Sequence, residues 1–198
     1  MAVAALAQQV TTSKPFFLRV HPTNQKLNKA YLTACHAGAA TEGLCVDPAT
    51  QPPSAASNSS IFYFNQTSSG GSLSPTGTLT WNLPVGGSDR STAVSEPLTL
   101  LLDNPGSNVV VPLFLPTANT NTAFGFDSNS TLYIEAINDS NSKKGQQPVQ
   151  QTVKLYHWYI CWAMTGGYYY NSLAWVTAGT PHNPTCQKAL GCKGKKVA

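Results

Sequence analysis

Acid–base chemistry in this 198-residue chain would have to come from eight Asp and Glu residues and four His. Asp47, Asp103 and Asp127 sit in turn-forming sequence, where a short carboxylate bonds its own backbone. Asp89 and Asp139 lie in polar loops, and Glu42 lies between two nearby cysteines. Glu96 and Glu135 remain, and a glycosidase would use such a pair as acid and nucleophile or base. Their separation along the chain does not bring them together in space. His21, His36, His157 and His182 are scattered, without the H-x-H or HExxH spacing that sets two imidazoles on one metal ion. His157 falls in an apolar strand, where a hydrogen-bonded core role suits it better than ligation. Secreted copper oxygenases need histidine as the first mature residue, and cleavage after Ala7 would leave Gln8 there. No G-x-S-x-G elbow, phosphate-binding glycine loop or dinucleotide fingerprint occurs. The sequence predicts no catalytic residue, no metal and no cofactor, and a secreted hydrolase stands only as a second alternative.

Five cysteines offer a different chemistry. Cys35 and Cys45 flank HAGAATEGL, and Cys161 and Cys186 flank an aromatic segment. Neither spacing is C-x-x-C, so zinc and thioredoxin-like patterns are absent. In an oxidising compartment the economical pairing is two local bridges, 35–45 and 161–186, each contributing roughly 2–4 kcal/mol. The alternative is reduced, buried thiols. Cys192 is left over in a Gly- and Lys-rich end.

These groups must be positioned by strands, because helical periodicity is nearly missing. Short β-branched or aromatic runs bounded by turn residues are predicted at 16–20, 30–34, 61–64, 78–81, 98–102, 109–115, 123–126, 131–137, 153–163 and 168–176. Asp103-Asn-Pro-Gly and Asp127-Ser-Asn-Ser read as turns, and 47–60 and 138–148 as loops. Leu155 to Trp162 is apolar on both faces, as expected of a central strand. The expected fold is a single all-β, disulfide-stapled domain over 8–188. An antiparallel β-sandwich is the first choice, and a β-trefoil or small barrel the alternative. Residues 189–198 have no apolar periodicity and are expected to form a disordered basic tail.

Composition bounds the setting. Only 10% of residues are charged, against about 25% in an average domain, and Ser, Thr and Asn supply the polarity. The net charge of +4 comes from Lys188, Lys193, Lys195 and Lys196, so the body is neutral and lacks the basic surface that nucleic acid requires. No apolar run approaches the ~20 residues of a membrane span. Ala5-Leu6-Ala7 fits a signal-cleavage site, and 1–7 reads as the remnant of a signal peptide. Sequons at Asn58, Asn65, Asn129 and Asn138 are expected in turns or at strand edges, as N-glycosylation needs. Trp81, Tyr168, Tyr169, Tyr170 and Trp175 form a sugar platform if exposed, although core packing is the commoner fate of such residues.

Several segments occur in an order that resembles the PhiA-like family of fungal secreted cell-wall proteins. They are Ser60-Ile-Phe-Tyr-Phe-Asn65, Leu100-Leu-Leu-Asp-Asn-Pro-Gly106, Phe124-Gly-Phe-Asp-Ser-Asn-Ser-Thr-Leu-Tyr133, and Tyr159-Ile-Cys161 through Leu173-Ala-Trp175 to Asn183-Pro-Thr-Cys186. Leu44-Cys45-Val-Asp47-Pro48 also fits. Cys35 has no counterpart, and such proteins continue past Cys186 into another apolar strand. The resemblance implies a secreted, non-catalytic protein with a structural or adhesive role at the fungal cell wall, its partners being wall polysaccharide or wall proteins. A secreted carbohydrate-binding module is the alternative.

Overall fold

The computed structural model describes residues 10–22, 27, 30–47, 53–54, 57–67, 75–86, 92–102, 106–116, 122–147 and 150–196, of which 22 and 190–196 by their backbone alone. The expected signal remnant, Asp89 and most of the Asp103-Asn-Pro-Gly turn lie outside these residues. The described chain is almost wholly β, with no α-helix among the described residues and a 3-10 turn at Asn58–Ser60. The strands are β1 (Val10–Thr12), β2 (Phe16–Pro22), β3 (Tyr31–Gly38), β4 (Thr41–Asp47) and β5 (Phe62–Thr67). They continue as β6 (Thr76–Val85), β7 (Thr92–Thr99), β8 (Val109–Val110), β9 (Leu113–Phe114) and β10 (Ala123–Phe126). Last come β11 (Leu132–Asn138), β12 (Gln151–Leu155), β13 (Trp158–Thr165), β14 (Tyr168–Val176) and β15 (Gln187–Lys196).

All pair antiparallel in one sheet, and that sheet closes on itself. Starting at β2, the ring runs through β3, β4, β9, β7, β6 and β5 and returns to β2 by the pairing of Phe16 with Phe62. A second arc, β15–β13–β14, also bridges β2 and β4, and β10–β11–β12 extends outward from β6. The result is a β-barrel with added strands, which is the alternative architecture and not the first-choice sandwich. Closure removes the free edges that two open sheets would expose.

Strand alternation fills one core. Leu18, Leu32, Leu44, Phe62, Leu79, Leu98, Phe114, Phe124, Leu132 and Trp158 are fully buried in it. Two of the buried indoles place their donors on backbone carbonyls: Trp158 Nε1 donates to Leu132 O at 2.9 Å and Trp81 Nε1 to Asn58 O at 2.8 Å.

Three sequence expectations are corrected. The stretch between Cys35 and Cys45, for which no strand is predicted, is the end of β3, the turn and most of β4, reversing at Ala40 with φ +49°. The expected strand 153–163 is two strands, β12 and β13, broken at Tyr156–His157. The tail expected to be disordered is largely strand: β15 lies between β13 and β2, pairing Cys192 with Val20 through Lys196 with Phe16. Apolar periodicity is no guide to such a strand, because backbone N–H and C=O groups hold it whatever its side chains.

Candidate functional site

The β13–β14 hairpin turns at Gly166–Gly167, both at positive φ (59° and 93°), as a two-residue type I′ turn requires. Gly166 is doubly constrained, since a Cβ there would overlap the Ala37 backbone at the tip of the β3–β4 hairpin. Residues paired across the hairpin share a face. Trp158 with Trp175 and Ile160 with Leu173 point into the core, and the same face continues outward as Trp162 with Asn171 and Met164 with Tyr169. Where the core ends, this face emerges: Trp162 is 49% and Tyr169 57% exposed.

The Trp162 and Tyr169 rings lie 6.0 Å apart with planes only 20° from parallel. They border a groove of about 440 Å³, lined also by Met164, Leu101, Val109 and Asn183 and by no charged side chain among the described residues. Trp162 is held from its open side by side chains standing in for a neighbouring strand. Its N–H donates to Thr185 Oγ1 at 2.9 Å, and its carbonyl accepts from Asn183 Nδ2 at 3.0 Å. The Cys161–Cys186 disulfide ties the same loop to the strand one residue before Trp162. Asn108 anchors the rest of that loop, donating from Nδ2 to Ala178 O and Thr180 O and accepting from His182 N–H.

The five residues expected as a sugar platform therefore separate. Trp81 and Trp175 are core, each 5% exposed. Tyr168 and Tyr170 stack on one another at 6.2 Å on the opposite hairpin face, where Tyr168 meets His36 edge-on and Tyr170 donates to His36 O. Tyr169 alone of the five joins the groove. Its partner Trp162 was expected to pack inside; the alternation that buries Trp158 and Ile160 runs past the end of the core at this residue.

Both predicted disulfides are present, Cys35–Cys45 and Cys161–Cys186. Of the four sequons, Asn58, Asn129 and Asn138 are exposed, in the 3-10 turn, a hairpin turn and the last residue of β11. Asn65 differs from expectation. It sits inside β5, paired to Thr12 and Thr78, and its Oδ1 accepts from Thr12 Oγ1. His157 stacks on Trp175 at 5.2 Å, a packing role.

The carboxylates combine in an unexpected way. Glu135 pairs across strands with Lys154, whereas Glu96 meets Glu42. Glu96 is fully buried and Glu42 is 7% exposed. Both Glu96 oxygens and Glu42 Oε2 lack a donor from other groups, and two ionised carboxylates cannot bond one another. Their contact becomes a hydrogen bond once Glu96 is protonated. Burial first, then the bond to Glu42 and its charge, push Glu96 up to about 8. Glu42 lines a cleft of about 600 Å³ between the tip of β3–β4, the 3-10 turn and the end of β6, with Trp81, His36, Ser57 and Ser59. Among the described residues no three His, Cys, Asp or Glu groups come together as metal ligands.

Residues 13–189 match the family described as a domain of unknown function (DUF7907), and the chain belongs to it. No curated protein and no solved structure matches the chain. The family match carries no activity and does not bear on the resemblance to PhiA-like proteins.

Proposed function

We propose, for this member of the DUF7907 family, a non-catalytic role as a secreted adhesive protein of the fungal cell wall that binds neutral polysaccharide along the Trp162–Tyr169 groove. The exposed, near-parallel aromatic pair carries this reading. Large apolar rings left in water at a groove mark a binding surface. Aromatic faces suit the C–H faces of sugar rings, and the absence of charge among the described lining residues favours an uncharged chain. Two disulfides in an all-β fold support an extracellular setting, and the wall assignment rests on the resemblance to PhiA-like proteins.

Hydrolysis is less well supported. Glu96 has found a second carboxyl, but inverting glycosidases need roughly 6.5–9.5 Å between theirs and retaining ones roughly 5–5.5 Å. A pair close enough to share a proton fits neither, and Glu96 has no exposed surface.

Sedimentation of the secreted protein with insoluble β-glucan, chitin and mannan tests the proposal. Retention by at least one polymer is expected, with at least a tenfold loss on Trp162→Ala. Retention by none, or unchanged retention in Trp162→Ala, would reject the groove as the binding surface.

A further inference from the structure

The cleft beside the 3-10 turn is a second site, apart from the aromatic groove, and Asn58 is the modifiable group in its wall. Asn58 opens the turn, lines the cleft and is exposed. Its carbonyl is committed, accepting from Trp81 Nε1 at 2.8 Å, whereas its side-chain carboxamide bonds no described residue. Asn65 and Asn138, by contrast, each hold a hydrogen bond through Oδ1, from Thr12 Oγ1 and from the Ser140 N–H. Asn58-Ser59-Ser60 is an acceptor triplet for N-linked sugar. Ser60, the hydroxyl residue of the triplet, is only 2% exposed. The folded turn therefore does not offer the triplet to a transferase, and transfer belongs to the chain before it folds. Folding then buries Ser60 but leaves Asn58 outside, so a sugar on Asn58 is not driven into the core.

We propose that Asn58 carries an N-linked glycan whose first N-acetylglucosamine is seated in this cleft. The inference rests on the secreted setting of the proposed function and not on the aromatic groove. The donor is a lipid-pyrophosphate-linked oligosaccharide of the secretory pathway. A bond forms between Asn58 Nδ2 and sugar C1, the C1–O bond to the pyrophosphate breaks, the lipid pyrophosphate leaves with that electron pair, and one Nδ2 proton is released. A cleft of about 600 Å³ has room for a sugar ring. Trp81 and Pro84 supply apolar wall for its C–H groups, and the Trp81 donor is already spent on Asn58 O. Ser57 and Ser59 flank Asn58 in the same lining, with hydroxyls 3.2 Å apart that can bond an acetamido group or sugar hydroxyls. Because the sugar is tethered beside these groups, docking is intramolecular, and contacts too weak to hold a free sugar suffice.

The test uses the intact chain exported from a eukaryotic host behind the host's own secretion signal. Mass spectrometry reads occupancy of Asn58 and the rate at which peptide-N-glycosidase frees its glycan from the native protein. Asn58 should be occupied, and release should be at least about tenfold slower than from a folded Ser57→Phe variant, which fills the cleft and keeps the triplet, because cleavage waits for the glycan to leave its seat. Isotope-edited nuclear Overhauser spectra should place the N-acetyl methyl of that sugar against the Trp81 ring, which decides the matter if Ser57→Phe does not fold. Trp162→Ala should keep both occupancy and protection, so failure here and failure of the polysaccharide groove are separable. Since the host's signal supplies export, an unmodified Asn58 would speak against the site and not against the secreted setting. Unmodified Asn58 in exported protein, equal release from wild type and folded Ser57→Phe, or no contact between the methyl and Trp81 would each overturn the proposal.

Discussion

Tyr133 lies across Gly125. The two are paired directly between β10 and β11, and a Cβ built on Gly125 would fall within the Tyr133 ring. The ring is fully buried, and Lys154 Nζ stands 4.7 Å from its centroid. The glycine is therefore a packing surface for an aromatic neighbour, not a hinge.

Gly125→Ala should accordingly destabilise the protein by about 2 kcal/mol or more, the range of overpacked cores. That corresponds to a fall in melting temperature of roughly 4–8 °C for a chain of this size. Adding Tyr133→Leu should recover part of the loss if the ring is the obstacle, and a double-mutant cycle measures the coupling. Strict additivity would place the cost elsewhere.

The buried carboxyl pair sets a pH dependence. The Glu96 pKa is raised on folding, to about 8 from a usual 4.5, so the native state binds the extra proton. Stability from this group is complete below about pH 4.5 and declines as pH rises toward about 8, beyond which the slope vanishes. The total loss is a few kcal/mol at most, by linkage at about 1.4 kcal/mol per pH unit. Urea unfolding between pH 5 and 9 should show this decline, and Glu96→Gln should flatten it. A wild-type profile equal to that of the variant would show that Glu96 ionises normally.

How far the sequence was readable differs by element. Strands with local alternation and turn residues, such as β10–β11 around Asp127, were legible: Asp127 Oδ1 accepts the N–H of Asn129 and Thr131 as an Asx turn should. The disulfides were legible because each closes a local hairpin or loop. β4 was not, since Gly43 in its middle reads as a breaker; it is there because a side chain would press on Cys35 Sγ. Barrel closure rests on pairings such as Phe16 with Phe62, far apart in the chain, which no local pattern encodes. The Glu42–Glu96 contact is non-local in the same way. Trp162 differs again: its alternation is plain in the sequence, but where the core stops along a strand is a tertiary fact.

Trp162 and Trp175 lie on one hairpin face and should behave oppositely. Trp175→Ala empties core volume against Trp158, whose ring meets it edge-on at 4.8 Å, and should cost about 3–5 kcal/mol. Trp162→Ala, half exposed, should leave the melting temperature within a few degrees while abolishing retention on polysaccharide. A large stability loss in Trp162→Ala would instead assign that ring a structural role.

Truncation after Cys186 tests the last strand. β15 fills the gap between β13 and β2, pairing Tyr159 with Lys188 on one side and Phe16 to Val20 on the other. Deleting 187–198 would leave both neighbours with unmet backbone groups and uncover Leu18 and Val20, now fully buried. The melting temperature should fall by about ten degrees or more, several kcal/mol at this chain length, and the yield of folded protein should fall with it. A 1–186 fragment melting with the intact chain would show that the strand adds no stability, and that the arc through β13 and β14 holds without it.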